Sequence, residues 1–152
     1  MSKFSILNMP VKGKVSPLSE LNDYLFKGKL MGEGAVITPT DNYLYSPVDG
    51  EVILVYKTKH AIGIKSNDGL KILIHFGLDT AKLEGKGIAN YVKVGDKVKI
   101  GDKIMFFDID YIEKFSSIAT PIVVTNHEMV KDIDVNFNAK NLSDEFLKIT
   151  LS

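Results

Sequence analysis

An all-β barrel or sandwich of many short strands is the fold this sequence predicts, on three observations. Short runs rich in Val, Ile and Leu are punctuated along the chain by Gly, Asp and Asn turn signals. The segment Met9-Pro10-Val11-Lys12-Gly13-Lys14-Val15-Ser16 returns as Ser46-Pro47-Val48-Asp49-Gly50-Glu51-Val52-Ile53, with Pro opening each copy, Gly permitting a bend or close backbone contact, and valines alternating. Two copies are too few for a solenoid and suggest approximate internal symmetry in one compact unit. No linker or low-complexity tract divides the 152 residues, so the whole chain reads as a single domain.

Between the copies, Ser19 to Phe26 lacks alternation and reads as a loop with one helical turn whose apolar residues are exposed. Met31-Gly32-Glu33-Gly34 is a turn signal, Ala35 to Pro39 a short strand, and Thr40-Asp41-Asn42 another turn. After Gly95, the Gly-Asp-Lys triplet recurs at an interval of six, which fits short strands with tight turns. Asp108 to Phe115 is the one plausible helix, with acids at its start and Ile109, Ile112 and Phe115 on one side. Thr120 to Thr125 and Phe146 to Leu151 read as strands.

Composition narrows the function. Nineteen lysines balance nineteen acids, so nucleic acid or an anionic membrane surface is not an expected partner. Cysteine is absent, which excludes disulfides and thiol nucleophiles and suits a reducing compartment. Arginine is also absent, leaving Lys, His, hydroxyls, backbone N–H groups or a partner's arginines to hold any anion. The N-terminus does not read as a signal peptide and no apolar run reaches membrane-spanning length, so a soluble cytoplasmic location is expected.

The chemistry centres on Thr58 to Thr80, read as a β-hairpin around Ser66-Asn67-Asp68-Gly69 with His60 on one arm and His75 on the other. An even loop sets the two histidines opposite or diagonal on one face; an odd loop or a bulge sets them on opposite faces. His75 ends an apolar strand and is followed by Phe76-Gly77, where the chain can turn and lend a carbonyl. An imidazole whose Nδ1–H is tied to a carbonyl presents Nε2 as a nucleophile, and a second imidazole beside it can donate to an arriving anion. His127, in a polar context after a strand, is expected to be structural.

Pro39-Thr40, Ser46-Pro47-Val48-Asp49-Gly50, Thr58-Lys59-His60-Ala61, Ile74-His75-Phe76-Gly77-Leu78-Asp79-Thr80, Val94-Gly95-Asp96-Lys97-Val98 and Thr120-Pro121-Ile122-Val123-Val124-Thr125-Asn126 run in order over most of the chain. Together they resemble the glucose-type enzyme IIA domain of the phosphoenolpyruvate-dependent sugar phosphotransferase system. The resemblance implies an antiparallel β-sandwich with a duplicated motif and at most one or two short helices, a single IIA domain over residues 1–152 with its core in 9–151. It implies a phosphoryl relay: His75 accepts phosphate from phospho-HPr on Nε2, His60 stabilises the phosphoryl group, Thr58 orients His60, and the Gly77 carbonyl holds Nδ1 of His75. A cysteine of a IIB domain is the implied acceptor during sugar uptake, with the protein cytoplasmic and transiently at the membrane through its permease, not inserted.

The family's partner face falls here on Asp23, Leu25, Phe26, Tyr56, Leu73, Asp79 and Ala81. Tyr56, Leu73 and Ala81 stand where the family often has Phe or Val, and Asn8-Met9-Pro10 and Tyr45-Ser46-Pro47 depart from its usual Ala-Pro strand openings. No cofactor is implied, although a partner carboxylate would complete a shared zinc site at His60 and His75. Two rival readings are a biotinyl or lipoyl carrier, for which Lys59 lacks the tight Met-flanked hairpin, and a zinc hydrolase using His60, His75 and Asp79.

Overall fold

The computed structural model describes residues 3–21, 24–29 and 31–152, with the backbone alone for residues 24 and 25. Its strands are β1 (Phe4–Asn8), β2 (Gly13–Ser16), β3 (Glu33–Pro39), β4 (Tyr43–Tyr45), β5 (Gly50–Val55), β6 (Ala61–Ser66), β7 (Lys71–His75), β8 (Ile88–Asn90), β9 (Lys97–Val98), β10 (Lys103–Phe107), β11 (Thr120–Val124), β12 (Val130–Val135) and β13 (Glu145–Leu151). Two four-residue helices, α1 (Tyr24–Lys27) and α2 (Ile109–Ile112), accompany them. A seven-stranded antiparallel sheet of order β2-β3-β11-β7-β6-β5-β9 packs against two three-stranded sheets, β1-β13-β12 and β4-β10-β8.

The alternation of β7 shows how the sequence builds this sandwich. Ile72 and Ile74 enter the main core, while Leu73 belongs to a second apolar cluster on the opposite face of the sheet. That is the two-residue period of a strand covered on both sides. Phe76 continues into the main core and stacks on Phe107 of β10 at 3.9 Å between ring centroids, tying the end of β7 to the facing sheet. The second cluster consists of Leu18, Leu21, Phe26, Val36, Ala61, Leu73 and Val123, so the crossing between β2 and β3 straps over the outer face.

The repeat is visible as reciprocal bonding. Asn8 N–H donates to the Pro47 carbonyl at 3.1 Å and Tyr45 N–H to the Pro10 carbonyl at 2.7 Å, so each copy's opening proline is bonded by the residue leading into the other. Gly13 and Gly50 open β2 and β5, and a Cβ there would lie 2.2 Å from the Thr38 oxygen and 2.3 Å from the Lys65 oxygen. Both glycines are required by the close approach of the neighbouring strand.

Several expectations change in detail. The helix at 108–115 is one turn long: Asp108 caps it by accepting the Tyr111 N–H at 3.1 Å and Ile112 is buried, but Phe115 turns outward at 50% exposure. Glu33 and Gly34, expected in a turn, already belong to β3. β1, β8 and β12 are strands that the sequence pattern left unread; β1 and β12 form through pairing with β13, which overrides their weak apolar alternation. Among the described residues no helix is long and apolar enough to cross a membrane.

Candidate functional site

The β6–β7 hairpin takes the odd-loop alternative. Ser66 N–H donates to the Leu70 carbonyl at 2.8 Å and Gly69 N–H to the Ser66 carbonyl at 2.9 Å, enclosing the three residues Asn67-Asp68-Gly69 with Gly69 at φ +97°. The loop is odd, and the ladder pairs His75 with Ala61. One step further, the same register would set His60 opposite Phe76, toward the main core.

The histidines nevertheless meet at the ladder's end, where the His60 carbonyl still accepts the Phe76 N–H at 2.6 Å. Lys59 N–H donates to the Tyr56 carbonyl at 2.9 Å, and Lys59 takes the left-handed conformation at φ +66°. The turn ends there, and β6 begins at Ala61. The His60 ring reaches the His75 ring at a centroid distance of 4.7 Å and an interplanar angle of 77°.

Each imidazole is held at Nδ1. His75 Nδ1 lies 2.8 Å from the Gly77 carbonyl oxygen. A carbonyl only accepts, so Nδ1 carries the proton and Nε2 the lone pair. His60 Nδ1 lies 2.6 Å from the Thr58 hydroxyl. His60 is 4% exposed, and its pKa is lowered from the ordinary 6.5 to about 4, first by burial and then by the neighbouring His75. It is therefore neutral at physiological pH.

The carbonyl that orients His75 is itself braced. Gly77 is at φ +69°, and a Cβ there would come within 2.4 Å of Thr80 Cγ2 and 2.6 Å of the Ser117 oxygen. Thr80 Oγ1 donates to the Phe76 carbonyl at 2.6 Å, and Leu78 N–H to the Ser117 carbonyl at 3.0 Å. Sequence reasoning missed Thr80 and Ser117, since nothing in their spacing marks them as supports of a turn.

The expected partner face divides. Asp79 is 77% exposed with its carboxylate 3.0 Å from the Lys82 ammonium, Ala81 is exposed, and Tyr56 is half-buried with its ring edge-on to His60 at 5.1 Å. Phe26, expected exposed, is 3% exposed with its ring 5.1 Å from that of His75; Leu73 is 4% exposed. The strap over the sheet creates the second cluster that buries both. Asp23 and the side chain of Leu25 lie outside the described residues.

A zinc hydrolase loses its third ligand. Among the described residues no three His, Cys, Asp or Glu side chains gather as a metal site, and Asp79 pairs with Lys82. Two imidazoles are half of a tetrahedral set, so the residues present do not by themselves fit zinc.

Residues 5–130 match the family described as phosphoenolpyruvate-dependent sugar phosphotransferase system, EIIA 1. The chain is 45% identical over 145 residues to the glucose-specific EIIA component of Bacillus anthracis, covering 93% of this chain and 88% of that one. It is 47% identical over 122 residues to the β-glucoside-specific EIIBCA component of Bacillus subtilis, 80% of this chain and 20% of that longer one. The solved glucose permease IIA from Mycoplasma capricolum is similar with a TM-score of 0.87 and 32% identity, covering 96% of each chain. An antiparallel sandwich of this ancestry is a phosphoryl relay of sugar uptake. The chain belongs to the EIIA type 1 family of the phosphoenolpyruvate-dependent sugar phosphotransferase system, and membership rules out the biotinyl or lipoyl carrier reading. Fusion of EIIA with EIIB and EIIC in one relative implies that such a domain works with a permease.

Proposed function

We propose that His75 is the phosphoryl acceptor of this relay, taking phosphate from phospho-HPr and passing it to a cysteine of a IIB domain. The observation that carries the reading is the Nδ1–H···O=C bond to Gly77 at 2.8 Å, which makes Nε2 the nucleophilic nitrogen. The Nε2 lone pair attacks phosphorus as the bond to the donor breaks and the donor leaves with its electron pair. The ring gains positive charge, which the Gly77 carbonyl stabilises through Nδ1–H. Onward transfer reverses the bonding with the IIB sulfur as nucleophile.

His60 supplies position and a hydrogen bond. With the Thr58 hydroxyl donating to Nδ1, Nε2–H of His60 is directed at the phosphoryl oxygens, where charge is compensated in a loose transition state. A neutral donor suits a relay, because a buried cation would stabilise the bound phosphoryl dianion as well as the transition state and slow its departure. The whole chain acts as one cytoplasmic IIA domain that meets its permease at the membrane. Among the described residues of the expected partner face, Asp79 and Ala81 are exposed and Tyr56 half-buried, open to HPr and IIB. The sugar is selected by the permease, since relatives named for glucose and for β-glucosides are 45% and 47% identical.

Incubation with phosphoenolpyruvate, enzyme I and HPr, followed by mass measurement and peptide mapping, tests the assignment. A single acid-labile, base-stable phosphate on His75 is expected. Phosphate on His60 or His127 instead overturns it.

A further inference from the structure

Along the start of β2, Val11, Gly13 and Val15 are buried while Lys12 and Lys14 are exposed, so strand alternation carries both lysines to one face. β2 is an edge of the seven-stranded sheet. The connection from β12 to β13 returns along that edge, where Gly13 N–H donates to the Lys140 carbonyl at 3.2 Å and brings a third lysine alongside. Strand edge and loop enclose an open pocket of about 500 Å³, a size that suits a small-molecule ligand.

The charge of this pocket is one-sided. Lys12, Lys14 and Lys140 line it, no carboxylate does, and among the described residues none of the three ammonium groups pairs with an acid. Asp144, nearby in the loop, turns Oδ2 to the Lys140 and Asn141 N–H groups at 2.9 and 3.0 Å. In a chain of zero formal net charge, three unpaired lysines around one hollow make a local positive potential that an anion neutralises. Lysines also guard sheet edges against pairing with other strands, but that task needs neither a pocket nor an aromatic wall.

The other walls differ from those of a bare anion site. Phe137 lines the pocket at 52% exposure, with no other ring or ammonium over it among the described residues. Val15 and Ala139, both buried, supply apolar surface, and Thr40 and Asn141 supply a hydroxyl and an amide. An open ring face suits a planar heterocycle, and the neutral polar groups suit sugar hydroxyls. The loop is fixed in advance: Asn136 donates its amide to the Glu145 carbonyl at 2.9 Å and accepts the Asn138 N–H at 3.1 Å.

We propose that this pocket binds a nucleoside polyphosphate, with the lysines on the phosphates and the Phe137 ring on the base. Its concave shape favours a small molecule over a flat membrane surface. With no arginine in the chain, the phosphates meet point charges, so affinity falls steeply with salt. The proposal does not rest on His75 as acceptor, and β3 and β11 stand between β2 and β7.

The test titrates the unphosphorylated protein with ADP, pyrophosphate and adenosine, followed by calorimetry and backbone amide spectra. Saturable ADP binding is expected, with shifts confined to residues 12–15, 40 and 137–141, and about fivefold or more weaker affinity when salt rises from about 50 to 200 mM. Lys140→Gln should weaken ADP and pyrophosphate alike, by about fivefold. Phe137→Ala should weaken ADP about fivefold and leave pyrophosphate unchanged, with Phe137→Tyr restoring ADP binding. Lys114→Gln, outside the pocket, should change nothing. These side chains are exposed, and circular dichroism checks that each variant is folded. No ADP binding at millimolar concentration, or shifts centred on His60 and His75, overturns the proposal. ADP binding untouched by Phe137→Ala makes this a bare phosphate site and overturns it too. So does sedimentation with phosphatidylglycerol vesicles that Lys140→Gln abolishes, in the absence of ADP binding, which makes the patch a membrane contact.

Discussion

His60 and His75 bring their rings within 4.7 Å of each other, although the β6–β7 ladder pairs His75 with Ala61 and the hairpin loop has an odd number of residues. Lys59, immediately before His60, is left-handed at φ +66°. A non-glycine residue there costs about 1–2 kcal/mol, and β-branched side chains tolerate it worst. Lys59→Gly is therefore expected to raise stability by up to about 1 kcal/mol while preserving phosphorylation. Lys59→Val is expected to lower stability by a similar amount and to slow uptake by displacing His60. Denaturant midpoints beside uptake rates check this; a fully tolerated Val shows that the turn does not set the site.

The two histidines separate when the two transfers are timed individually. His75→Ala is expected to abolish uptake with the fold intact, because the nucleophile is lost and no cysteine replaces it. His60→Ala is expected to retain partial uptake from phospho-HPr and to slow transfer to IIB, since a donor to the phosphoryl oxygens is lost while the nucleophile remains. Equal and complete loss of both steps in His60→Ala makes His60 the acceptor or a structural residue.

Gly77→Ala adds a methyl where Thr80 and the Ser117 carbonyl leave no space, at a φ of +69°. The close atom on one side is backbone, so the turn must shift. A stability loss of about 2 kcal/mol or more is expected, with a change in the His75 Nδ1–H resonance as its carbonyl moves. Thermal melts and 15N spectra measure both; an unchanged resonance shows that the Gly77 carbonyl does not hold the ring.

How legible the site was depends on which forces placed each residue. The histidine pair and the Gly77 carbonyl follow from local order, because Gly77 stands two residues after His75 in one turn. Their common face did not follow from hairpin arithmetic. The sandwich was readable from the repeat, whose prolines and glycines have matching tasks at Pro10 and Pro47, Gly13 and Gly50. β1 and β12 were not, since they flank β13 and owe their form to it. Phe26 was misread for a similar reason: a strap without periodicity shows its apolar residues in sequence but not the sheet face that buries them.

Acid should destabilise the fold through His60. Its folded pKa is about 4 against an ordinary 6.5, so between those values the unfolded chain takes up a proton that the native protein does not. Stability is fully present above pH 6.5, falls as pH drops toward 4, and levels off below that for this group. At about 1.4 kcal/mol per pH unit, the loss approaches roughly 3 kcal/mol. His60→Gln should flatten this part of the profile. Unfolding midpoints at pH 7 and pH 4.5 decide it; equal slopes in wild type and variant rule His60 out as the cause.

Asp79 and Lys82 bear on how the donor arrives. Asp79 lies four residues beyond His75, is 77% exposed and already pairs with Lys82 at 3.0 Å. An exposed pair of this kind contributes only about 0–1 kcal/mol, so separating it should leave the fold intact. In the family reading Asp79 faces basic residues of HPr, and Lys82 then competes with the donor for the same carboxylate. Rim charges act mainly on encounter rate. Asp79→Lys should slow phosphorylation at low salt, with a smaller deficit at high salt because the Debye length contracts from about 10 Å at 0.1 M to about 3 Å at 1 M. Asp23→Lys should deepen the deficit if its acid shares the face. Lys82→Gln should act in the opposite sense, speeding uptake at low salt and converging on wild type as salt rises. Transfer rates across a salt series distinguish these outcomes. Wild-type rates for Asp79→Lys at low salt would remove this acid from the donor surface, and slowing by Lys82→Gln would show that the lysine helps docking instead of masking it.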